Sequence, residues 1–141
     1  MGYRSQVRCL IYGTKDNLDA YITEASLITE STVFREFKES LTRYTTKVYY
    51  SRLNGPEEEI IQVLDLYCDD WEWYESYPDV QAWMKFMEES AEADLQYEFV
   101  RVGENDNDIE RHYSEEHEGM IFVSVSINDN TEKIEDIPLN F

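Results

Sequence analysis

Three groups of residues carry side chains that could do chemistry. The first is His112-Tyr-Ser-Glu-Glu-His117, two imidazoles and two carboxylates within six positions. Helical zinc motifs such as H-x-x-E-H set their two histidines four residues apart, one above the other on one face. Here they are five apart, so the spacing predicts two solvated loop histidines and no metal centre. The second group, Asp106-Asn107-Asp108 with Glu110, offers hard oxygens to a cation. It lacks the twelve-residue loop with a central glycine and terminal bidentate glutamate that an EF-hand requires, so it reads as a solvated acidic loop. The third group sets Asp69, Asp70, Glu72 and Glu75 beside Trp71 and Trp73, as carboxylates and sugar-stacking rings meet in a glycosidase. That chemistry needs two carboxyls facing each other across roughly 5–10 Å, and carboxylates this near in sequence share one solvated edge instead.

No nucleophile elbow, P-loop or dinucleotide fingerprint is present. Cys9 and Cys68 form no C-x-x-C and have no histidine nearby in sequence, so they read as two reduced core thiols of a cytosolic protein. The sequence predicts no catalytic residues, no metal and no cofactor. What remains is the surface. The chain of 141 residues has a net charge of −19, unevenly placed. Residues 1–52 carry eight Lys/Arg against six Asp/Glu, a net +2, whereas residues 53–141 carry four against 25, a net −21. Such a field repels nucleic acid and lipid head groups and attracts basic protein surfaces. No run approaches the eighteen or so apolar residues that span a bilayer. The opening MGYRSQV has neither the charged-then-apolar order of a secretory leader nor the Ser or Thr that myristoylation wants where Gln6 stands.

The elements that would position these groups follow from periodicity. Hydrophobic content of 42% with 14% aromatics supports one globular domain over residues 1–141. Ser5 to Tyr12 alternates as a strand, and Thr14 can cap a helix with Leu18, Tyr21, Ile22 and Ala25 on one face. Ser31-Thr32 opens a second helical stripe of Val33, Phe34, Phe37 and Leu41. Thr45–Leu53 and Ile60–Cys68 read as a hairpin across Asn54-Gly55-Pro56, its second strand apolar on both faces and therefore central. Ser76 and Pro78 start a helix that buries Val80, Trp83, Met84 and Met87 and turns Glu88, Glu89 and Glu92 outward. Leu95–Val102 is a strand, Ile109–Tyr113 a short edge strand within an acidic loop, and Met120–Ile127 one further strand. Residues 128–141 read as a polar tail whose Ile137, Leu139 and Phe141 dock back. The order β-α-α-β-β-α-β-β predicts an α+β fold: one mostly antiparallel sheet of about five strands with helices packed on one face.

Three blocks, Met1 to Ser5 (M-G-Y-R-S), Trp73 to Val80 (W-Y-x-S-Y-P-D-V) and Arg101 to Glu104 (R-V-G-E), resemble a group of small tailed-phage and prophage proteins. The resemblance brings no catalytic residue with it. It implies a phage accessory protein in the cytoplasm of a bacterial host, of the kind that inhibits a host enzyme or defence system. Together with the charge split, it predicts binding to a host protein with a basic surface, in a form that can imitate a nucleic acid. The expected interaction surface is Asp70, Trp71, Glu72, Trp73, Glu75, Asp79, Glu104, Asp106, Asp108 and Glu110, on a monomer or homodimer that binds neither nucleic acid nor membrane. A second reading is a protein that sequesters a small molecule or nucleotide in a Tyr/Trp-lined pocket. There Arg4, Arg8, Arg43, Lys47 and Arg52 would converge on phosphates.

Overall fold

The structure, a computed structural model, describes residues 3–26, 32–52, 55–105, 107–114, 121–123, 127–129 and 133–137. Its elements run β1 (Ser5–Gly13), α1 (Lys15–Ser26), α2 (Thr32–Phe37), a 3₁₀ turn (Lys38–Ser40), β2 (Leu41–Arg52) and β3 (Gly55–Trp71). They continue with α3 (Pro78–Ser90), a second 3₁₀ turn (Ala91–Ala93), β4 (Gln96–Gly103), β5 (Ile109–Tyr113), β6 (Ile121–Val123), β7 (Ile127–Asp129) and β8 (Lys133–Ile137). The fold is α+β, with an open antiparallel sheet in the order β5-β4-β1-β3-β2-β8 and a separate β6–β7 hairpin.

Strand alternation divides the core in two. Val7, Cys9 and Ile11 of β1, Leu64, Leu66 and Cys68 of β3, and Phe99 of β4 face the helices. They pack there with Leu18, Val33, Phe34, Phe37, Val80, Trp83, Phe86 and Met87. Thr14 caps α1 by accepting the Asn17 N–H at 3.2 Å. Trp83, fully buried, sits against Phe37 and Phe86 with ring centroids 5.7 and 5.5 Å away. Its indole N–H has no conventional acceptor among the described residues. It faces the Cys9 sulfur, where it opposes the upward push that burial gives that thiol. Burial likewise pushes the Cys68 thiol up to about 12.

The second face holds Leu10, Tyr12, Tyr44, Ile61, Val63 and Val100, all buried. Two acids share it, Asp65 at 2% exposure and Glu98 at 0%. Arg8 grips Asp65 with both ends of its guanidinium, at 2.8 and 2.5 Å, and the Tyr44 hydroxyl donates to the same carboxylate at 2.9 Å. This face is therefore covered too. β7 packs against β1, an interior strand of the main sheet.

Four expectations change. The main sheet has six strands, because Lys133–Ile137 of the expected tail pairs with β2 as an edge strand; Leu139 and Phe141 lie outside the described residues. The single strand expected over Met120–Ile127 is a hairpin, with Val123 opposite Ile127 and Ile121 opposite Asp129. Periodicity of two reads the same whether a strand continues or folds back, and Met120 and Val125 are outside the described residues. Leu41 opens β2 rather than closing the second helix, although it stays in the same core. At the start of α3 the cap position falls on Tyr77, not Ser76, and Pro78 takes the first helical position as expected.

Candidate protein-interaction surface

Trp71 ends β3 and Trp73 follows it, where the chain turns toward α3. Trp73 is 7% exposed and lies between Phe37 and Phe99, with ring centroids 5.8 and 5.7 Å away. Trp71 is half-buried against Phe37 at 5.1 Å, and its indole N–H donates to Asp79 Oδ2 at 3.2 Å. Asp79 Oδ1 accepts the Val80 N–H at 2.8 Å, so this carboxylate satisfies an orphan donor at the positive end of α3. Neither tryptophan stands out as an anchor for a partner, and Asp79 is committed to the helix start. Two aromatics before a helix pack into the seam when the strand that carries them is interior.

Asp108 and Glu110 are also spoken for. Arg101 binds Asp108 through Nη2 at 2.8 Å and Nη1 at 3.1 Å, and Glu110 through Nε at 3.0 Å. The Tyr3 hydroxyl adds a bond to Asp108 at 2.8 Å. The Arg101 and then the Tyr3 bonds hold Asp108 down to about 2. Burial would raise Glu110, but its bonds to His112, at 2.6 Å, and to Arg101 outweigh it and leave that acid lowered. These carboxylates neutralise Arg101, which is itself largely buried. Asp106 lies outside the described residues, as does His117. Among the described residues no three metal-ligating side chains gather.

The same corner brings together the three sequence blocks singled out above. The Tyr3 N–H donates to the Tyr74 hydroxyl at 2.5 Å, and the Arg4 N–H to Glu104 at 2.8 Å. Arg101 donates to the Ser5 hydroxyl at 3.2 Å. Gly103 has no room for a Cβ, which would collide with the Tyr3 hydroxyl and the Asp108 carboxylate. The Arg4 guanidinium lies 3.4 Å from Glu72 and 3.9 Å from Asp70, both on the outside of the corner. Of the expected surface, Asp70, Glu72, Glu75 and Glu104 remain accessible.

Beside them runs a groove of about 370 Å³ between α3 and β5. Trp73, Val80 and Met84 line it together with Glu75 before α3, Lys85 and Glu88 of α3, and Glu110 and His112 of β5. Beyond the groove, the C-terminal end of α3 is acidic in a way that local rules disfavour. The last turn holds no basic residue, while Glu88, Glu89 and Glu92 are exposed at the negative pole of the helix. Tyr21 of α1 donates to the Phe86 carbonyl at 2.7 Å. Burial and then Glu89, Glu24 and Glu92 raise this phenol. The sequence offered the signal for this patch in glutamates where a helix end wants lysine, but they passed for an ordinary solvated face.

Arg4, Arg8 and Arg43 do not converge, and the Arg52 side chain lies outside the described residues. Arg43 lies on the helix face, bound to Asp19 at 2.5 Å and to Gln62, whereas Arg8 lies on the opposite face and Arg4 at the corner. A shared phosphate site from these three is therefore excluded. The class defined by fold and surface is an α+β protein with an open six-stranded sheet, an acidic helix end and an apolar-floored groove. Compared with protein-family models, curated proteins and solved structures, the chain matches none. No helix among the described residues is long and apolar enough to cross a membrane.

Proposed function

We propose that this is a non-enzymatic phage accessory protein that binds a host protein with a basic surface in the bacterial cytoplasm. The docking surface is the outer side of α3 with Glu75 before it and Glu92 in the turn after it, and the groove beside it. The observation that supports it most is the misplaced acid at the end of α3. Glu88, Glu89 and Glu92 stand at the negative helix pole, an arrangement that costs stability, that the exposed Lys85–Glu89 contact at 3.9 Å offsets little, and that favours a cationic partner. The groove suits a lysine or arginine whose aliphatic stem rests on Trp73 and Met84 while its head meets Glu75 or Glu88. At 13 residues α3 is roughly 20 Å long, short of the roughly 34 Å of one duplex turn. Any imitation of nucleic acid is accordingly confined to a few phosphates.

Affinity capture from host lysate tests this. A partner should be retained at about 0.1 M salt and released toward about 1 M, where exposed charges are screened within about 3 Å. The folded triple variant Glu88→Lys, Glu89→Lys, Glu92→Lys should retain none of it. A partner held equally by this variant, or equally at high salt, refutes the reading.

A further inference from the structure

The groove between α3 and β5 follows the helix for most of its length. Its α3 residues, Val80, Gln81, Met84, Lys85 and Glu88, recur at helical spacing along one flank. From Val80 to Glu88 that flank runs roughly 12 Å. Glu75 lines the groove from the turn before the helix, and Glu88 from its last turn. Glu75 is tied in place, its carbonyl accepting the Gln81 side-chain N–H at 3.0 Å. Val80 and Met84 lie between the two acids along the helix, and Trp73 lines the same space.

The charged groups of the groove are not equally committed. Both oxygens of Glu110 are engaged, one by Arg101 at 3.0 Å and the other by His112 at 2.6 Å. The Lys85 ammonium lies 3.9 Å from Glu89, which is not among the described lining residues. Glu75 and Glu88 are exposed, and neither carboxylate has a cationic partner among the described residues.

Two unmatched acids on the order of 10 Å apart along a helix, with apolar side chains between them, select a particular shape of cation. One metal ion cannot bridge them, because carboxylate oxygens approach a hard cation to about 2–2.6 Å. A partner's lysine, as in the docking surface proposed above, meets one acid and leaves the other unmatched. We infer that the groove binds a free linear polyamine, a small molecule with an ammonium at each end of an aliphatic chain. One ammonium meets Glu75 and the other Glu88, while the methylenes lie on Val80, Met84 and Trp73. The volume of about 370 Å³ suits a ligand of this size. Burial of the chain contributes most, about fourfold in affinity per methylene. The exposed ion pairs add less and set the spacing. The inference stands on the groove alone and needs no host protein.

NMR titration of the whole chain tests it, at fixed pH and an ionic strength near about 0.02 M, where exposed charges are little screened. The probes are ethylenediamine, putrescine, hexamethylenediamine and spermidine, and the Met84 methyl and His112 ring protons report occupancy. Affinity should rise at least about tenfold from ethylenediamine to hexamethylenediamine. Hexylamine, the same chain with one charge fewer, should bind several-fold more weakly than hexamethylenediamine. Glu75→Gln and Glu88→Gln are exposed, isosteric changes, and each should bring hexamethylenediamine down to the level of hexylamine. Equal affinity at every chain length overturns the inference, as does hexylamine bound as tightly as the diamine. So does either glutamine variant binding like the parent, or a titration that leaves Met84 and His112 unmoved. None of these outcomes decides the basic-partner reading, which is tested by capture through Glu88, Glu89 and Glu92. Loss of capture with diamine binding intact would sink that reading alone.

Discussion

At the scale of single residues, the buried acid Asp65 decides more than any exposed one. It sits at 2% exposure beneath an otherwise apolar face, held by Arg8 from one side and Tyr44 from another. Removing one partner of such a pair leaves a charge without compensation, so Asp65→Ala should cost about 3–5 kcal/mol. Replacing Arg8 and Asp65 together by Met and Leu should cost much less, because the stranded charge is then absent. Urea denaturation of the three proteins measures this. Equal losses in the single and double variants would show that Arg8 and Asp65 do not act as a pair. Periodicity predicts that Asp65 alternates with core residues. It makes both faces of the strand mostly apolar, but it does not say that Arg8 and Tyr44 meet this acid there.

Among the elements, the corner where β1, β4 and the loop before β5 meet depends on a missing side chain. A Cβ at Gly103 would strike the Tyr3 hydroxyl and the Asp108 carboxylate. Gly103→Ala should therefore break the Tyr3–Asp108 bond and cost about 1–3 kcal/mol, as overpacking does elsewhere. The same variant alters the response to acid. Asp108 has its folded pKa depressed to about 2 from an ordinary value of 3.8, so its contribution is complete above the ordinary value. It disappears as pH falls through the folded one. Loss of the Tyr3 bond should shift the Asp108 titration upward, visible by carboxyl NMR between about pH 2 and 4; an unmoved titration would mean that Arg101 alone sets it. Local patterns made much of this layer legible, including the Thr14 cap, the α3 start with Pro78 and the edge strand Ile109–Tyr113. The fate of Trp73, Asp79, Asp108 and Glu110 was not legible. Whether an acid is free or paired depends on the strand register, which sets Arg101 of β4 opposite Glu110 and beside Asp108, seven residues on.

For the whole molecule, the charge distribution sets stability against binding. A chain at −19 repels itself, and the repulsion is sharpest where exposed glutamates add to a helix pole of the same sign. Lys85 does little to relieve it. It lies 3.9 Å from Glu89 with both side chains exposed, and the lysine precedes the glutamate, the weaker order for such a pair. Glu88→Gln, Glu89→Gln and Glu92→Gln together should accordingly stabilise the fold, each by up to about 0.3–1 kcal/mol at low salt. A protein of this size gains about 2–4 °C in melting temperature per kcal/mol. The gain should shrink as salt rises toward about 0.5 M, because screening removes the same repulsion from the parent chain. A calorimetric series across salt, run beside the capture experiment, separates the two roles of these residues. A variant that melts higher yet loses its partner shows acids kept at a cost to stability for the sake of a cationic surface. If it melts lower at low salt, Glu88, Glu89 and Glu92 are holding the fold together, and the case for a docking surface at this helix end is lost.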